Sequence, residues 1–132
     1  MIEVPREPRA HAAAQPWQDV AMSRFLIVMR ENDGAWEQLP PAVQTRILER
    51  YQAWVAGLRE QGCFVDGAAL APEGRILSLE GTELRVQRAL GTSAVPAGYL
   101  VIEASDWDAA IALAGACPAL GHGETVEVRL LV

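Results

Sequence analysis

The chain contains no lysine: its 11 cationic residues are all arginine, against 17 acidic residues and a net charge of −6. The arginines are scattered, whereas gripping a nucleic-acid backbone takes clustered cations that release counterions. Nucleic acid is therefore not an expected partner. Cysteine is nearly as scarce. Cys63 and Cys117 form neither a C-x-x-C pair nor a disulfide framework, and each stands at the end of an apparent helix where a small buried hydrophobe fits. Free thiols suit a reducing cytoplasm, which is the expected location. His122 has no second His or Cys at ligand spacing, so no metal is expected, and no motif calls for another cofactor. No apolar run approaches the ~18 residues that cross a bilayer. Residues 1–21 also lack the apolar stretch of a signal peptide, so no membrane association is expected.

What is present is enough apolar material, 51% of 132 residues, for one core of ordinary domain size. Residues 1–21 are rich in Pro, Ala and Arg without any period, and they read as a flexible N-terminal extension. Residues 22–132 read as the folded domain. Arg24 to Arg30 (RFLIVMR) is apolar on both alternating faces, as a central strand is. A helix is predicted from about Pro41, with Val43, Ile47, Leu48, Tyr51, Trp54, Val55 and Leu58 forming one apolar stripe and Gly62 ending it.

Phe64 to Leu70 reads as a second strand. Arg75 to Glu80 and Glu83 to Gln87 read as a hairpin, with Leu77 and Leu79 facing Leu84 and Val86. Arg88 to Gly98 reads as a loop and Tyr99 to Ala104 as a strand. A second helix is predicted from Ser105, capped by its hydroxyl and by Asp108 in a capping-box spacing, and stopped at Pro118. Thr125 to Val132 closes the chain, with Val126, Val128 and Leu130 on one face. Two helices cannot cover both faces of such a sheet. The expected fold is α+β, a ferredoxin-like sandwich with an antiparallel sheet and two helices on one face. Its second face, with Leu131 adding to it, would meet another copy across a two-fold axis.

From Met22 onward the chain resembles the YCII-related (DGPF-domain) family of the dimeric α/β-barrel superfamily. The resemblance rests on RFLIVMR, on AWEQLPP leading into the helix, and on Gly67, Leu70 and Pro72 as G-x-x-L-x-P. It continues through GYLVIEASDWDAAIALA into HGETVEVR. It implies a ferredoxin-like homodimer, with two functional precedents among relatives: enzymes using a His and an Asp in a cleft, and proteins linked to transcription regulation. The name-giving D-G-P-F stretch is absent, because the chain there reads VQRALGTSAVPAGYL, with Arg88 and Ala89 near the expected Asp-Gly.

His122, between Gly121 and Gly123 and within the family's H-G stretch, is the leading candidate site residue. An imidazole there can exchange protons near neutrality, although a loop histidine bonded to backbone is the plainer alternative. Asp33, in the loop after the first strand, could orient that imidazole or act as a base, or simply serve the Asn32-Asp33-Gly34 turn. Arg30, Glu31, Trp36 and Arg129 are candidate ligand-binding residues. Each also has an ordinary reading, as a solvated strand end, a packed aromatic or, for Arg129, an ion pair with Glu127 or Glu103. The leading expectation for function is a homodimeric domain that binds a small organic or anionic ligand. One alternative is a small cofactor-independent isomerase or lyase with His122 as acid/base. Another is a regulatory interaction protein.

Overall fold

The computed structural model describes residues 22–32, 34–89 and 95–132. The extension at 1–21, the candidate Asp33 and residues 90–94 lie outside them. Strand β1 (Ser23–Glu31) is central as its composition requires, lying between β5 (Val95–Ala104) and β6 (Thr125–Leu130). The edge strand β2 (Phe64–Ala69) completes an antiparallel sheet of order β2-β5-β1-β6. With helices α1 (Pro41–Glu60) and α2 (Trp107–Ala114), this is an α+β architecture compatible with a ferredoxin-like fold. A separate hairpin, β3 (Gly74–Glu80) and β4 (Glu83–Ala89), is inserted between β2 and β5.

Alternation along β1 decides where the core lies. Phe25, Ile27 and Met29 are buried, and they pair across the sheet with Leu130, Val128 and Val126 on one side. On the other side they pair with Ile102, Leu100 and Gly98. Residues directly opposite share a face, so this face of the sheet is continuous. It forms one cluster with Leu58 of α1 and with Ala110 and Ala114 of α2. Trp54 ties the helices together, its indole N–H donating to the Leu113 carbonyl at 3.1 Å. Both thiols are buried and free.

The other face of β1 carries Leu26 and Val28, opposite Val101 and Tyr99 of β5 and Arg129 and Glu127 of β6. In the single chain these apolar residues are only half-buried. The expected placement of Val126, Val128 and Leu130 opposite Arg129 holds. Leu131 lies just past β6, its N–H donating to the Arg24 carbonyl at 2.8 Å.

Four local readings need correction. Leu48 is 52% exposed, because it sits about 100° around the helix from Ile47 and leaves the stripe. The cap of α2 is Asp106, whose carboxylate accepts from the Ala109 N–H at 2.8 Å; Ser105 is one residue too early. Strand β5 begins at Val95, not Tyr99. Pro96 is tolerated there because β1 has a register slip between Met29 and Arg30, and β2 pairing ends at Gly98. The stretch Pro118–His122 is a 3₁₀ helix.

Gly67 marks the tightest approach in the sheet. A Cβ there would lie 2.9 Å from the Tyr99 carbonyl oxygen and 3.1 Å from Leu100 Cγ. Gly67→Ala should therefore lower stability in urea unfolding by about 1–3 kcal/mol, the usual cost of overpacking. Gly121→Ala, with nothing within 4 Å, should stay within about 0.5 kcal/mol of the parent.

Candidate functional site

The leading candidate residue sits at the end of the 3₁₀ helix, and the following residue determines its pose. Gly123 has φ 77°, a left-handed conformation that ends the turn and starts the chain toward β6. His122 is thereby set against α1, whose Val43, Arg46, Ile47 and Arg50 line a depression of about 180 Å³ together with it. These four helix positions follow the i, i+3, i+4, i+7 pattern of one face. The imidazole Nε2 is buried and makes no hydrogen bond within the protein. Among the described residues, neither Arg46 nor Arg50 forms an ion pair. Two arginines and a histidine thus border a small concavity whose exposed lining is mostly apolar, with Val43 and Ile47 among it.

Arg46 and Arg50 were not among the candidates from sequence. One signal was available. They stand one turn apart, and like charges at i, i+4 repel; Arg50 has no acid three or four positions away to compensate.

The other sequence candidates are distributed over separate places. Arg30 and Arg129 lie on the open face of the sheet, where both engage Glu127. Their hydrogen bonds, Arg129 foremost, hold the Glu127 carboxyl below its ordinary range. Glu127, not Glu103, is therefore the partner of Arg129, while Glu103 pairs with Arg24 at 3.6 Å. Trp36 is half-buried in the turn before α1, and its carbonyl accepts from the Gln44 side chain at 2.8 Å. Trp107 packs edge-on against Phe25, with ring centroids 5.1 Å apart.

Glu31 belongs to a different cluster at the end of the sheet. Tyr51 donates to Met29 Sδ at 3.3 Å and lies 3.6 Å from Cys117 Sγ, which donates to it. Burial, with the negative charge of Glu124 and Glu31 nearby, pushes the Tyr51 phenol well above its usual range. Burial also raises the Cys117 thiol. Glu124 is pushed up to about 7, by burial first and by Glu31 second. Glu31 and Glu124 are thus carboxylates that sense each other, while His122 lines a depression together with two arginines.

A second, more open depression of about 380 Å³ runs along α1 past Tyr51, Gln52, Val55, Ala56 and Arg59. Its cation is already engaged, because the Arg59 guanidinium stacks 4.7 Å over the Phe64 ring. Among the described residues, no group of three or more His, Cys, Asp or Glu is placed to hold a metal ion. No helix among them is long and apolar enough to cross a membrane. The chain matches no protein-family model and no curated protein.

The raised Glu124 carboxyl has a consequence for stability. Its folded-state value lies above its unfolded one, so the fold binds this proton more tightly than the unfolded chain does. That contribution is complete below about pH 4.5 and is lost as pH rises through about 7. Glu124→Gln should melt several degrees higher than the parent at pH 8, and the gap should narrow as pH falls toward 5. Thermal scans across that range check it.

Proposed function

We propose that this protein binds a small organic anion, carrying a carboxylate or phosphate group, in the depression formed by His122, Arg46 and Arg50. The observation that carries the reading is that Arg46 and Arg50, neither in an ion pair among the described residues, border one depression with His122, whose buried Nε2 makes no hydrogen bond. Guanidinium groups bind carboxylates and phosphates through charge-assisted, often bidentate hydrogen bonds. A bound anion would relieve the repulsion between Arg46 and Arg50 and give Nε2 a partner. The concavity, about 180 Å³, is below the ~300–1,000 Å³ of sites for drug-sized ligands, which points to a ligand of only a few heavy atoms.

Binding is favoured over catalysis by what surrounds the imidazole. An acid/base histidine is usually oriented by a carboxylate, whereas among the described residues no carboxylate lines the depression with His122, and Glu31 and Glu124 sit with Tyr51. Membership of the YCII-related family, a cytoplasmic location and pairing of two copies through the open sheet face belong to the same reading. The pairing is supported by Leu26, Val28, Tyr99 and Val101, an apolar group that no element of the described chain covers fully. Two free, buried cysteines are consistent with a reducing compartment.

The test is calorimetric titration with inorganic phosphate and a panel of small carboxylates at low salt. The parent should bind at least one of them, more weakly as salt rises. Replacing both Arg46 and Arg50 with Gln should weaken binding at least tenfold, about 1.4 kcal/mol. Melting temperature without ligand should hold or rise. Unchanged affinity in that double variant would reject the site.

A further inference from the structure

The β3–β4 hairpin turns one apolar side to water. Leu77 pairs with Val86 and Leu79 with Leu84, so all four share a face. They are 59%, 57%, 71% and 56% exposed respectively. The strands pair with each other and pack extensively on no other described element. Isolated two-stranded ribbons are marginal in water, and seven-residue strands make an arm about 23 Å long. The arm's three arginines are paired locally: Glu73 accepts from Arg75 at 3.1 Å and Arg88 at 2.9 Å, and Arg85 pairs with Glu80. The quartet stays largely exposed, on the order of 400 Å², the size of patch that often marks an interaction site, while the other side of the hairpin carries a single exposed large apolar residue, Ile76.

The open face of the four-stranded sheet presents a matching surface. Leu26 and Val28 stand beside Val101 and Tyr99. The Arg24–Glu103 pair and the Arg30–Glu127–Arg129 group border them. On this face, too, the charged groups named are ion-paired and stand beside the apolar ones.

We infer that the arm of one copy lies across the open sheet face of a second copy, and that a two-fold axis makes the exchange mutual. The inference rests on the proposed pairing of two copies and names the element that covers each face. One chain carries both complementary surfaces, and a closed symmetric dimer uses each of them once per subunit. Two arms, each covering an equal area on the other copy, remove about 1,600 Å² from water in total, the size of a standard stable interface.

Sedimentation of the full chain, Leu79→Asp, Val28→Asp and an equal mixture of the two variants tests the arrangement. Leu79 is the most exposed of the quartet, so Leu79→Asp should keep the parent's circular dichroism. The parent should sediment as a dimer at about 20 μM, a normal concentration for a standard interface. Each variant should dimerise at least tenfold more weakly. Their mixture should regain dimer, because the intact arm of the Val28→Asp copy fits the intact face of the Leu79→Asp copy. A Leu79→Asp protein as dimeric as the parent overturns the arm contact and leaves pairing through the sheet face standing. A mixture that regains nothing, while both variants are folded monomers, also overturns it. If Val28→Asp does not fold, the Leu79→Asp result alone decides. A monomeric parent removes the pairing and the arm contact together.

Discussion

Two short layers of helix can shield one face of a four-stranded sheet and no more, and nearly everything distinctive about this protein follows from that constraint. The helix-covered face is saturated. Phe25, Ile27, Leu100 and Ile102 are fully or almost fully buried, and small residues on α2, Ala110 and Ala114, let that helix approach closely. The opposite face alternates with it residue by residue, and it keeps Leu26, Val28, Tyr99 and Val101 half in water. Burying such surface is worth roughly 25 cal/mol per Å². A fold with this much apolar sheet left over, and a hairpin with its own apolar side exposed, has more to gain from a partner than from further internal packing.

The polar groups are sorted by the same geometry. On the open face the cations are held by carboxylates, Arg24 by Glu103, and Arg30 with Arg129 by Glu127. At the end of the helix-covered face the sorting is reversed. Glu31 and Glu124 share a partly buried corner with a phenol that burial keeps protonated. Among the described residues, Arg46 and Arg50 of α1 form no ion pair. An acidic chain thus carries a local concentration of positive charge at His122, and the left-handed Gly123 fixes the imidazole toward it. Net charge describes the whole molecule, while a site is made by the few charges that have not been neutralised.

The fold was legible wherever a period carried the information. Alternation in RFLIVMR and TVEVRL identified strands and, for β6, the side on which Arg129 falls. The stripe of α1 and the cross-strand match of Leu77 with Val86 were equally readable. Boundaries that depend on neighbours were not. Pro96 enters a strand only because β1 bulges beside it and β2 has stopped, and neither fact is local to Pro96. Of the proposed anion site, one residue was legible in the sequence. His122 stood out through its flanking glycines, but its surroundings depend on how α1 crosses the end of the 3₁₀ helix. The other sequence candidates, Glu31, Arg30 and Arg129, lie elsewhere on the sheet. Arg46 and Arg50 lie some 70 positions upstream in an ordinary-looking helix, and only tertiary packing brings them to the imidazole.

The central claim is that the His122 imidazole meets a bound anion between Arg46 and Arg50, and nitrogen-detected spectroscopy of the imidazoles tests it most directly. The chain has two histidines, His11 and His122, so long-range proton–nitrogen spectra are assignable with a single His122→Gln variant. Titrating phosphate or a small carboxylate that binds should move the His122 Nε2 resonance progressively to saturation, following the calorimetric isotherm, and leave His11 unmoved. A His122 Nε2 signal that stays fixed while the protein saturates with ligand would contradict the account.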